Sequence, residues 1–228
     1  PNGSGKTTLF NVMTGYERVD AGEVVLAGRK ITNAAPDRVF DLGIGRTFQL
    51  TRIFARLTVL ENMLVPTPRG GRRARGADET RKAGRGGPLG LKGAQADRRR
   101  AMDLLDFVGI ARHAAVPAGT LSYGQRKLLE LAYVLIAEPD LILLDEPAGG
   151  VNPSLVNHIA ARIRELNADG TTFLIVEHNM EFVMGLCERV TVMDSGSVVA
   201  SGPPGIIRTD PRVLDAYLGG ALEDEDDA

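Results

Sequence analysis

The chain has 228 residues, 43% of them apolar and 25% charged, with a formal net charge of -2 at pH 7. That composition suits one sizeable α/β domain, or a core with a smaller subdomain, and argues against a dedicated nucleic-acid binder. No apolar run approaches the roughly 18 residues of a membrane-spanning helix and no signal peptide opens the chain. Its one cysteine, Cys187, rules out an internal disulfide and reads as a small buried apolar residue.

In chain order, PNGSGKTT at 1–8 comes first, a phosphate loop short of its first glycine. Glycines let the backbone wrap an anion, so that successive N–H groups of Asn2, Gly3, Ser4 and Gly5 point inward, and Lys6 adds charge toward the β- and γ-phosphates. Thr7, followed by Thr8, offers a hydroxyl to Mg²⁺, and the helix starting here aims its positive end at the phosphates. The chain begins at Pro1 without a methionine, inside this motif, and is read as lacking its natural start.

A strand is predicted over Glu23–Ala27. Residues 66–100 hold eleven Arg or Lys against three Asp or Glu, with many glycines, and read as a surface insertion too poor in apolar residues to build a core. An anionic membrane surface or a nucleic acid is the functional alternative for that run of charge. Helices follow over Asp97–Val108 and Ser122–Ala137, the second with Leu128, Leu129, Leu131, Ala132, Leu135 and Ile136 in helical phase. Ser122 and Gln125 have the spacing of a capping box at its start.

Leu141–Asp145 is a buried parallel strand that delivers Asp145 and Glu146 to its carboxyl end, where open α/β sheets bind ligands. Asp145 is assigned to Mg²⁺, and Glu146 to orienting and polarising the attacking water. A helix over Pro153–Asn167 and a strand over Thr171–Val176 precede His178, while Val190–Met193 and Val198–Ala200 flank a hairpin turn at Ser195-Gly196. His113 and His158 match no motif and are taken as surface residues. Glu223–Asp227 form an acidic tail.

LSYGQRKLLELA at 121–132 resembles the signature segment of ABC ATPases, with Tyr123 where the commonest form has glycine. The motif order (phosphate loop, Gln49 in RTFQ, signature, Asp145-Glu146, His178 in IVEH) is similar to that family along nearly the whole chain. The resemblance implies a RecA-like P-loop NTPase core of the α/β class at 1–58 and 139–228. A helical ABC signature subdomain would occupy 59–138, basic insertion included. It further implies that Gln49 contacts Mg²⁺ together with Thr7 and Asp145, and that His178 contacts the γ-phosphate. Ser122, Gly124 and Gln125 would then bind ATP held by an opposite subunit, and the strand feeding the phosphate loop would precede Pro1.

GIGRTFQLTRIFARLTVLENMLV at 43–65, EPAGGVNP at 146–153 and DPRVLDAYLGG at 210–220 look like the branched-chain amino acid importer ATPases. That resemblance implies ATP and Mg²⁺ as ligands and a homodimer, or a heterodimer with a paralogous ATPase. Transmembrane permease subunits and a periplasmic or surface solute-binding protein would complete the system, with this chain peripheral on the cytoplasmic face of the membrane. Urea or amide importers, a lipopolysaccharide-type exporter and a soluble ABC ATPase are the alternatives. The chain shows neither the coiled coils nor the duplicated cassette of the last.

Overall fold

The apolar run at 141–145 is the middle strand of a parallel sheet in the computed structural model, which describes residues 2–47, 53–66 and 91–216. Described elements run α1 (Lys6–Met13), β1 (Val25–Leu26), β2 (Arg29–Lys30), α2 (Pro36–Asp41), β3 (Ile44–Arg46), α3 (Val59–Leu64), α4 (Leu91–Phe107) and α5 (Tyr123–Leu135). They continue with β4 (Leu141–Asp145), α6 (Pro153–Ala168), β5 (Thr172–Val176), α7 (Met180–Leu186), β6 (Val190–Asp194), β7 (Ser197–Gly202) and α8 (Pro204–Ile207). Strand order is β3-β4-β5, all parallel, so the carboxyl ends of these strands deliver Arg46, Asp145 and Val176 to one edge of the sheet.

Strand β3 lies outside the sequence prediction because its segment, Ile44-Gly45-Arg46, carries no apolar run. Packing explains it: a Cβ at position 45 would lie 2.5 Å from Val134 Cγ1, so glycine lets α5 press on the sheet. The predicted strand at 23–27 shrinks to Val25–Leu26, because Ala27 (φ 46°) and Gly28 (φ 76°) turn the chain back into an antiparallel pair with β2. The predicted hairpin turn at Ser195-Gly196 has the same left-handed pair, φ 47° and 78°. Helix α4 begins at Leu91, six residues before the predicted Asp97, so the end of the basic segment is helical. Low apolar content did not prevent this, since α4 is anchored further along by Ala101 and Leu105, both fully buried, while Arg98 and Arg99 stay exposed. The predicted insertion residues 67–90, Gln49 and the acidic tail at 223–227 lie outside the described residues.

The expected stripe on α5 is buried throughout, from Leu128 to Ile136. It belongs to one apolar cluster in which Leu105 of α4 and Leu129 of α5 join Ile142 of β4 and Ile159 of α6. The helical stretch and the sheet therefore share a core. A second cluster, with Phe10, Ile44, Leu143 and Val176, packs α1 on the sheet's other side. Residues of β5 and β6 line a groove of about 480 Å³ that opens beside Lys6 and includes Cys187, whose thiol burial pushes upward from its ordinary pKa. His113 and His158, expected at the surface, are both half-buried: His158 Nε2 lies 3.1 Å from the Val108 carbonyl, and His113 meets α5.

Candidate functional site

At the start of α1 the chain makes a left-handed turn, with Gly3 at φ 70° and Gly5 at φ 91°. Gly5 is the N-cap, and no side chain caps this helix. A helix start of this kind is polarised toward an anion. Asn2, Gly3, Thr7 and Thr8 are exposed, whereas Ser4 is buried. Lys6 Nζ donates to Ser4 Oγ at 3.0 Å, which holds the ammonium along the inside of the loop. The turn between β6 and β7 leans on this loop: Gly196 N donates to Ser4 O at 3.2 Å.

Asp145, at the end of β4, is held from β3. Its N–H donates to Thr47 Oγ1 at 3.1 Å, and its carboxylate pairs with Arg46 at 3.2 Å, both side chains being almost fully buried. Arg46 reaches across to α1, donating to Asn11 Oδ1 and Thr14 Oγ1 at 2.9 Å each, with its guanidinium 5.5 Å from the centre of the Phe10 ring. A buried ion pair whose donors are spread over several acceptors orients both partners. Arg46 thus connects the phosphate-loop helix to the assigned Mg²⁺ carboxylate. The sequence reading quoted it within RTFQ without giving it a role; its signal was a charge at the end of a strand that must be buried.

Glu146 follows at φ 49°, a strained value for a side-chain-bearing residue, and its N–H donates to the Val176 carbonyl at 2.9 Å. His178 Nδ1 lies 3.6 Å from Glu146 Oε1, so the structure brings together, from separate segments, two of the three residues assigned to catalysis, the third being Lys6. Between them stands Glu177, buried and also unassigned from sequence. Its Oε1 accepts from Ala148 N at 2.7 Å, and its Oε2 accepts from His178 N and Asn179 N at 3.1 Å each. Glu177 thereby ties the Glu146 turn to the His178 turn, and an acid immediately after an apolar strand was the available clue.

The signature residues sit on α5. Ser122 Oγ accepts from Gln125 N at 3.3 Å and Gln125 Oε1 accepts from Ser122 N at 2.9 Å, the full capping box. Gln125 Nε2 lies 3.1 Å from His113 Nε2. Gly124 sits close to α6: a Cβ there would fall 2.4 Å from Leu155 Cδ2. These contacts run to α5 itself, to His113 and to α6, whereas those of the phosphate loop run to α1 and the β6–β7 turn.

The start of α1 has no side-chain cap, and the carboxyl end of β4 carries Asp145 followed by Glu146. The oxygen donors of Thr7 and Asp145 suit a hard cation that retains several waters.

A model of the family described as ABC transporter matches residues 1–149, and one described as branched-chain amino acid ATP-binding cassette transporter matches 197–223. The high-affinity branched-chain amino acid transport ATP-binding protein LivG of Salmonella typhimurium is 36% identical over 229 residues, spanning 97% of this chain and 85% of that protein. Among solved structures, the ADP conformation of MJ1267, an ATP-binding cassette of an ABC transporter, superposes with a TM-score of 0.77 at 34% identity, covering 96% of this chain and 85% of the other. The dimeric post-hydrolysis state of the cassette MJ0796, bound to ADP and Pi, gives 0.73 at 25% identity, covering 90% and 82%.

Proposed function

The chain belongs to the ABC transporter family as an ATP-binding, ATP-hydrolysing subunit of an importer, and from that premise we propose that it powers the uptake of branched-chain amino acids. The observation that carries its chemistry is the pairing of Glu146 with His178 at 3.6 Å, at the sheet edge that also presents Asp145. Support for the solute class comes from the match at 197–223 and from the name of the LivG relative.

In this reading Asn2, Gly3, Ser4, Gly5 and Thr8 cradle the phosphates, and Lys6 moves its ammonium from Ser4 Oγ to the β- and γ-phosphates. Thr7, Asp145 and Gln49 would hold Mg²⁺, which would supply positive charge to the transferred phosphoryl group. Glu146 orients and polarises the water, and His178 holds the γ-phosphate side of the site through its exposed ring. Most of the rate comes from placing these groups in advance. Arg46 serves by fixing the direction of the Asp145 carboxylate. Ser122, Gly124 and Gln125 bind the nucleotide of a second cassette, either another copy or a paralogue. Closure of the pair drives transmembrane permeases, which a solute-binding protein supplies from outside, while the chain sits at the cytoplasmic face of the membrane. Residues 1–58 and 139–228 make the nucleotide core, and 59–138 the signature subdomain.

The test is purification with the transporter's permeases and measurement of ATP turnover with leucine, urea and no solute. Leucine should stimulate and urea should not; the reverse order overturns the solute class. Glu146→Gln should bind ATP at wild-type affinity and lose about 10²–10⁴-fold in kcat. Near-normal turnover in that variant would remove Glu146 from its role.

A further inference from the structure

The turn that carries Glu146 is gripped from two sides, and we propose that Tyr123 and Lys127 are positioning residues that set the Glu146 carboxylate. They would make the seating of the signature helix on one nucleotide adjust the attack on the other. The inference rests on the water-activating role of Glu146 given above.

On the sheet side, the grip consists of Glu146 N to Val176 O at 2.9 Å and Ala148 N to Glu177 Oε1 at 2.7 Å. On the helix side it comes from α5. Lys127, only 7% exposed, donates from Nζ to the Glu146 carbonyl at 3.1 Å. One turn earlier, and so on the same face, the Tyr123 hydroxyl donates to the Gly149 carbonyl at 3.3 Å. The Tyr123 ring covers Gly150, where a Cβ would lie 3.2 Å from Cε1, and its centre is 5.8 Å from Lys127 Nζ. Tyr123 thus meets the carbonyl of Gly149 with its hydroxyl and lies over Gly150 with its ring. A glycine at 123 would supply neither the ring nor the hydroxyl.

Glu146 has φ 49°, a conformation that persists only when neighbours hold it. Its sheet-side anchors are fixed in the core. Its helix-side anchors begin at the residue after Ser122, itself exposed at the helix start. A nucleotide that draws Ser122 and Gly124 toward itself shifts Tyr123 and Lys127 as part of the same rigid turn. The backbone carbonyls of Glu146 and Gly149 follow. Displacements of about 1 Å at an attacking group change rates by roughly 100-fold, so a small shift suffices.

Tyr123→Phe retains the ring and removes the hydroxyl, and should lower kcat about threefold to tenfold, with KM for ATP and the binding of a fluorescent ATP analogue unchanged. Lys127→Met should lower kcat further, and Lys127→Arg should recover part of the loss because its N–H groups still reach the carbonyl. In the Glu146→Gln background, Tyr123→Phe should change the residual turnover by less than twofold, since the carboxylate it positions is gone. If Lys127→Met does not fold, Tyr123→Phe and Lys127→Arg still decide. Wild-type kcat in Tyr123→Phe overturns the proposal, as does an equal fall in the Glu146→Gln background or a loss confined to ATP affinity. Failure of the underlying reading looks different: Glu146→Gln itself would then turn over normally.

Discussion

Helices α1 and α5 both begin with residues assigned to nucleotide, yet they begin in opposite ways. Helix α1 starts from Gly5 in the left-handed conformation, with no side chain on its N–H groups. Helix α5 starts from Ser122 in a completed capping box. A start without a side-chain cap gains more from an anion than one whose capping box is already complete. In the function proposed above, the first start holds the chain's own ATP, and the second engages the nucleotide of a second cassette, for which Ser122 would exchange its intrahelical partner for a phosphate.

The contrast can be broken most decisively at Lys6. Lys6→Ala should weaken ATP binding on the order of 100-fold and stop turnover, because a charge-assisted contact to the phosphates is lost. Titration with a fluorescent nucleotide measures it, and unchanged affinity would detach the uncapped helix from ATP.

Ser122→Arg should instead leave ATP binding by the isolated subunit within about twofold while abolishing hydrolysis, because the bulky cation blocks closure against a partner's phosphate. Mixed with Lys6→Ala, it should restore part of the activity: one composite site then carries both lesions and the other neither. Loss of nucleotide binding in the Ser122→Arg monomer would show that both helix starts serve the same ATP.

A smaller effect sharpens the comparison on the side of stability. Ser122→Ala removes the cap and should cost about 1 kcal/mol, lowering the thermal midpoint by roughly 2–4 °C. Lys6→Ala, at a helix start that has no side-chain cap, should shift the midpoint by less than about 1 °C without nucleotide. Calorimetry of both variants without ATP separates the two helix starts. The smallest effect is expected for replacing residues 67–90 with a short Gly-Ser linker. That segment holds none of the site residues, and ATPase activity should stay within about twofold. A collapse of activity in a folded variant would give the basic segment a function.

The sequence by itself determined what depends on short-range order. The phosphate loop, the capping box of Ser122 and Gln125, the apolar run that ends in Asp145-Glu146 and the phase of the α5 stripe are local patterns, and each occurs where its periodicity or spacing puts it. Tertiary structure alone decided the rest, because those features are agreements between distant segments. Arg46 meets Asp145 across 99 positions of sequence and Glu177 meets Ala148 across 29; neither pairing has a local signature. Strand β3 is set by its parallel pairing with β4, with Gly45 leaving room for Val134, a packing arrangement that neither propensity nor apolar pattern encodes. His113 became a neighbour of Gln125 for the same reason. Tyr123, in sequence only a departure from the usual signature, acquires meaning once the fold sets its hydroxyl against Gly149, since a buried or paired polar group is recognised by its partner and a sequence shows one partner at a time.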